Sequence, residues 1–120
     1  MNQPNRFQKL VADAKQRVTE ISAEQAHEQV KRGEAVLLDV REEAEFRQGH
    51  AEGAQHLSKG VIEVEIEDQV PNPDQPIIAY CGGGSRSALV ADNLQKMGYT
   101  NVRSLAGGMR AWNEAGLPTK

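Results

Sequence analysis

The chain has 120 residues, 38% of them hydrophobic and 26% charged, with a formal net charge of −3. That composition suits a single soluble domain with one modest core and excludes an intrinsically disordered chain. Charges of both signs are interspersed, which argues against a nucleic-acid partner, and the longest apolar runs fall far short of the roughly 20 residues of a membrane span. Residues 1–7 lack the apolar core of a signal peptide. Cys81 is the only cysteine, so no intrachain disulfide can form and a cytoplasmic, reducing location is expected.

In chain order, Phe7, Leu10, Val11, Ala14 and Val18 recur at helical spacing and predict a helix over residues 5–18 whose stripe packs on the domain's own surface. Ser22 with Gln25 three residues on forms a capping box, opening a second helix that stops at Gly33. Residues 35–40 are a continuous branched apolar run, the pattern of a strand buried on both faces in a parallel sheet. A short helix over residues 42–48 ends at Gly49, and residues 54–57 predict a brief strand. Residues 60–70 fit two patterns. Their alternation suits a strand, but Ile62, Ile66 and Val70 recur every four residues, and helix is the reading taken. Pro71, Pro73 and Pro76 mark a surface connection. Residues 76–80 are a second buried strand, 87–97 a helix, 101–105 a third strand, and Gly107-Gly108 precede a last helix ending at Ala115. Strands alternating with helices predict an α/β fold: an open, mostly parallel central sheet flanked by helices on both faces.

The chemistry concentrates where the strand at residues 76–80 gives way to Cys81-Gly82-Gly83-Gly84-Ser85-Arg86-Ser87 and then to a helix. In open α/β sheets ligands sit beyond the carboxyl ends of strands. The glycines allow positive φ and inward-facing N–H groups, and the helix N-terminus adds its own. Such a cradle favours a thiolate and an anion held against it, with Arg86 as a permanent cation beside it. No Gly-Lys-Ser/Thr follows, so this is not a P-loop. Asp39 and Arg41, at another strand end, are expected to support the loop, with Asp39 a candidate partner for Arg86. His27, His50 and His56 are not spaced as a ligand set, and no metal or other cofactor is expected. His50 is expected to fix a turn, and Trp112 to anchor the core.

The stretch from Tyr80 to Ser87 resembles the active-site loop of rhodanese-like domains. Leu38-Asp39-Val40-Arg41, Glu45-Phe46, Gly49-His50 and Gly53-Ala54 resemble the family's first signature. Gly107-Gly108, Ala111-Trp112 and Gly116-Leu117-Pro118 resemble its C-terminal one. The resemblance spans about residues 20–118, implies a helix over residues 60–70, and divides the chain into a helical extension at 1–19 and a rhodanese-like domain at 20–120. It implies a sulfurtransferase in which Cys81 takes a sulfane sulfur from thiosulfate or a persulfide and passes it to a thiol or cyanide. Gly82, Gly83, Gly84, Ser85, Arg86 and Ser87 would form the substrate cradle, and a protein donor or acceptor is a further expected partner. Gly82 and Gly83 stand where thiosulfate specialists often carry basic residues, so a high Michaelis constant for thiosulfate is expected. The rivals are a cysteine phosphatase or arsenate reductase, which uses a longer loop than Gly82 to Ser85 between cysteine and arginine, and a non-catalytic interaction module, which would often lack the cysteine.

Overall fold

The structure is a computed structural model and describes residues 3–120. Five strands, β1 (Thr19–Ile21), β2 (Val36–Asp39), β3 (Gln55–His56), β4 (Ile77–Tyr80) and β5 (Val102–Leu105), form one sheet. Its order is β1-β5-β4-β2-β3, and all four pairings are parallel. Six helices connect or flank them: α1 (Arg6–Lys15), α2 (Ala23–Lys31), α3 (Glu43–Gln48), α4 (Ile62–Gln69), α5 (Ser85–Lys96) and α6 (Gly108–Glu114).

Side-chain alternation along β2 and β4 builds two cores. Leu38, Ile77, Ala79 and Cys81 face Ile62 and Ile66 of α4 and Val90, Ala91 and Leu94 of α5. Leu37, Ile78 and Tyr80 point the other way, against Ala23 and Ala26 of α2 and Met109 and Trp112 of α6. Trp112 is fully buried and donates its indole N–H to the Pro118 carbonyl at 2.8 Å. Asn5 and Ser22 cap α1 and α2 with full capping boxes.

Among the secondary-structure elements, the structure departs from the sequence-based expectations at β1, α5 and α1. β1 was not foreseen: three residues carry too little periodicity to register, yet they pair with Arg103, Ser104 and Leu105. Helix α5 begins at Ser85, two residues before the expected start. On α1 only Val11 and Ala14 are buried, whereas Phe7 and Leu10 are 49% and 56% exposed. The expected stripe is thus narrower, because α1 meets the body of the fold chiefly along α5. There Arg17 forks onto the buried Asp92 at 2.9 and 2.8 Å, and that guanidinium holds the Asp92 carboxyl below the usual carboxylate range.

The two patterns in residues 60–70 make opposite demands on Val64. A strand would bury it with Ile62 and Ile66; in the helix it is 83% exposed while both isoleucines are fully buried. Urea denaturation should therefore show Ile66→Ala losing about 2–5 kcal/mol and Val64→Ala changing stability by no more than about 0.5 kcal/mol. Equal losses at the two positions would contradict this packing.

Candidate active site

Chain direction in the sheet diverges between its two central strands. From β2 the chain passes to β3 on one side, and from β4 to β5 on the other. A crevice opens at the carboxyl end of that boundary, the usual ligand position in such sheets. Cys81 follows β4 there. It continues the inward alternation of Ile77 and Ala79 and is 1% exposed. Its Sγ accepts the Gly84 N–H at 3.1 Å and the Ser87 N–H at 3.4 Å; the thiol donates to the Ser87 hydroxyl at 3.5 Å, and once ionised it accepts from that hydroxyl instead. Ser87 stands in the first turn of α5, so the sulfur also meets the positive end of that helix. Burial pushes the thiol up, but the Ser87 hydroxyl and the N–H groups of Ser87, Gly84 and Gly83 outweigh it and hold the thiol below its ordinary value. The environment is built for an anionic sulfur.

The loop's N–H groups can turn inward because its carbonyls are held outward. The first turn of α6 donates from Met109 N to the Cys81 carbonyl at 2.8 Å and from Arg110 N to the Gly82 carbonyl at 3.1 Å. Two glycines make this contact possible. Gly84 caps α5 with φ +100°, and a Cβ there would lie 3.2 Å from the Gly107 nitrogen. Gly108 has φ +55°, and a Cβ on it would overlap the Cys81 carbonyl and stand 2.8 Å from the Gly82 carbonyl carbon. Gly82 and Gly83 have no positive φ, contrary to the expectation for all three loop glycines. Their lack of side chains instead keeps the mouth unobstructed: Gly83 is exposed, and a Cβ on it would meet no atom within 4 Å.

Asp39 and Arg41 lie one strand away, across the crevice. The fully buried Asp39 carboxylate accepts from the Arg41 backbone N–H, from Arg41 Nε and Nη2, and from the Tyr80 hydroxyl at 2.7 Å. Arg41 also donates to the Gly49 carbonyl at 2.8 Å, and the Ala51 N–H donates to the Tyr80 oxygen at 3.0 Å. Both residues therefore fix Tyr80, the neighbour of Cys81, and the turn after α3; they make no hydrogen bond to the 81–87 loop itself. His50 Nδ1 bonds the Phe46 carbonyl at 3.0 Å on that same turn.

Arg86 is not paired with Asp39. Its Nη1 and Nη2 fork onto Glu45 of α3 at 3.0 and 3.2 Å. Asp39 is already saturated by Arg41 and Tyr80, and Arg86 points to the mouth rather than to the core. A cavity of about 420 Å³ lies on the other side of Glu45, lined by Arg41, Glu45, Gln48, Met109 and Asn113 among others. Three residues that sequence reasoning passed over thus belong to the site. Glu45 entered only as part of a signature, with no role. Gly108 entered as a helix boundary. Ser104 was not singled out; it is fully buried on β5, and its hydroxyl lies 2.8 Å from that of Ser87, behind the sulfur. In the sequence it stands beside Arg103 within β5, and nothing local marked it as buried.

The rhodanese-like domain family model matches residues 22–115. The chain belongs to the rhodanese-like domain family. It is 40% identical over 100 residues to the thiosulfate sulfurtransferase GlpE of Actinobacillus succinogenes, covering 83% of this chain and 88% of that one. Among solved structures, the polysulfide-sulfur transferase homodimer of Wolinella succinogenes superposes with a TM-score of 0.82 at 27% identity, covering 95% of this chain and 86% of that one. A protein of unknown function from Rhodopseudomonas palustris CGA009, described as a possible tyrosine phosphatase, superposes with a TM-score of 0.85 at 30% identity over 100% of this chain and 99% of that one.

The hydrogen bonds to Sγ predict a thiol that titrates below the ordinary value of a cysteine. Alkylation rate followed against pH should place the Cys81 midpoint under that value, and Ser87→Ala should move it upward by removing a hydroxyl donor. A midpoint unchanged in Ser87→Ala would mean the hydroxyl does not serve the sulfur. The glycine contacts predict a hierarchy at the loop. Gly108→Ala should cost more than the roughly 1–2 kcal/mol of a Cβ at positive φ, because the methyl group also displaces the Cys81 carbonyl. Gly83→Ala, by contrast, should be tolerated. Thermal melts of the two variants check the contrast.

Proposed function

We propose that this chain is a sulfurtransferase that carries a sulfane sulfur on Cys81, in a cytoplasmic, reducing setting, as a persulfide. The observation that supports this most directly is the convergence of the Gly84 and Ser87 N–H groups on a single buried Sγ, with the Ser87 hydroxyl 3.5 Å away. The ionised thiol is the nucleophile. It attacks the outer sulfur of the donor; the donor's S–S bond breaks, and sulfite from thiosulfate, or a thiolate from a persulfide, leaves with the electron pair. The new Cys81 persulfide is itself anionic, and N–H groups aimed at the loop's centre stabilise that charge without the cost of reorganising water. An acceptor thiolate or cyanide then attacks the terminal sulfur, the persulfide S–S bond breaks, and the Cys81 thiolate is restored. Since Cys81 is the only cysteine, the acceptor comes from outside the chain. The GlpE relatives support thiosulfate as one donor. The loop supports a weak hold on it, because the cradle offers Arg86 as its one charged side chain and Arg86 is already paired.

Intact-mass measurement after incubation with thiosulfate, and separately with glutathione persulfide, tests this. The wild-type chain should gain one sulfur that cyanide removes, and Cys81→Ser should gain none while keeping its circular dichroism spectrum. Sulfur transfer retained in Cys81→Ser would refute the assignment. Phosphatase activity without sulfur loading would favour the class suggested for the Rhodopseudomonas palustris protein.

A further inference from the structure

Glu45 and Arg86 reach toward each other from the two diverging sides of the crevice. Arg86 lies in the first turn of α5, which follows β4, and Glu45 lies in α3, which follows β2. Their side chains are 34% and 39% exposed, so the pair sits at the mouth rather than in the core. The Glu45 carboxylate is anchored from its own helix as well, accepting the Glu42 N–H at 3.1 Å. On the other side, a Cβ at Gly82 would stand 3.5 Å from Arg86 Nη2, which places the guanidinium against the loop beside the sulfur. The neighbouring cation Arg41 is committed to Asp39 and to the Gly49 carbonyl.

We propose that Glu45 is a specificity-determining residue that neutralises Arg86 across the crevice and so disfavours the compact dianion thiosulfate relative to persulfide donors. This rests on the Cys81 persulfide reading above. A guanidinium forked onto a carboxylate keeps three of its five N–H donors, but its charge and its bidentate edge are already committed when an oxyanion arrives. A dianion that approaches Arg86 also meets the Glu45 charge at nearly the same distance, so attraction and repulsion largely cancel. Thiosulfate concentrates two charges in one small ion at the point of attack. A persulfide brings a single charge at its reacting end, with its remaining groups outside the mouth, and is less affected by the pairing. Glu45 does not touch the sulfur; it acts through Arg86.

Steady-state kinetics of Glu45→Gln with thiosulfate and with glutathione persulfide tests this. Glutamine keeps the length of the side chain and an acceptor for the Glu42 N–H, but removes the charge. The Michaelis constant for thiosulfate should fall about three- to fivefold, the scale of one partly exposed charge pair, and should become more salt-dependent. The turnover number and the persulfide constant should change little. In Glu45→Gln combined with Arg86→Gln the gain should vanish. Glu43→Gln removes the same charge from the same helix without touching Arg86, since Glu43 pairs with Arg47, and should leave both constants unchanged. Should Glu45→Gln fold poorly, Glu45→Asp, which withdraws the carboxylate from Arg86, should shift the thiosulfate constant in the same direction by a smaller factor. An unchanged or raised thiosulfate constant in the folded variant, or an equal fall in Glu43→Gln, would overturn the role of Glu45 while sulfur loading of the wild type still stands. Failure of the wild type to load sulfur from either donor would overturn both readings.

Discussion

The site depends on the polarity of one short backbone segment. At its start the carbonyls of Cys81 and Gly82 turn outward, and further on the N–H groups of Gly84 and Ser87 turn inward. The outward carbonyls of Cys81 and Gly82 are held by the Met109 and Arg110 N–H groups of α6; the inward N–H groups of Gly84 and Ser87 are held by the sulfur. A helix start that would otherwise leave its amides without partners thus satisfies the loop that wraps over it. The contact needs backbones closer than side chains allow, which is why Gly84 and Gly108 meet there. Preorganisation follows: the donors are already aimed when charge arrives on sulfur, and little reorganisation is left to do.

A second buried network sets where this loop stands relative to the rest of the crevice. Asp39 is fully buried and charged, a costly arrangement unless every lone pair is used. Arg41 supplies three N–H groups and Tyr80 its hydroxyl. Burial and the Asp39 carboxylate both push the Tyr80 hydroxyl up, so it remains a donor. Asp39 and Tyr80 are also direct partners in the β2–β4 register. The network therefore locks the two strand ends between which the crevice opens, and through Gly49 and Ala51 it carries the turn that follows α3.

The electrostatics divide into an inner and an outer zone. Around Sγ the positive potential comes from backbone dipoles, which do not move and are shielded from salt by burial. At the mouth the charges are side chains, Arg86 and Glu45, partly exposed and nearly balanced. On the proposed reading, stabilisation of the sulfur anion and selection among donors fall to different parts of the site. A change of side chain at the mouth can alter which donor enters while the cradle keeps its geometry.

Much of this was decided by local sequence. Buried runs such as residues 35–40, the capping box at Ser22, and a cysteine between a strand and a glycine-rich turn carry their meaning within a few residues, because strand burial, helix capping and turn conformation are local physics. The motif at Tyr80 to Ser87 placed the proposed nucleophile, and two distant signatures agreed with the family. What local sequence left undecided were the partners brought together across the sheet. Asp39 and Glu45 were both acids near a strand end, and nothing in their spacing told which one Arg86 would take; the packing of α3 against the mouth, with Asp39 sealed beneath it by Arg41 and Tyr80, selected Glu45. Ser104 gained a role only because β5 lies beside β4, behind Ser87. Thr19–Ile21 became a strand only because β5 had a free edge to pair with it, and the exposure of Phe7 and Leu10 followed from where α1 could dock on α5. Each of these depends on contacts between residues far apart in the chain, and only the folded arrangement determines which of the possible contacts form.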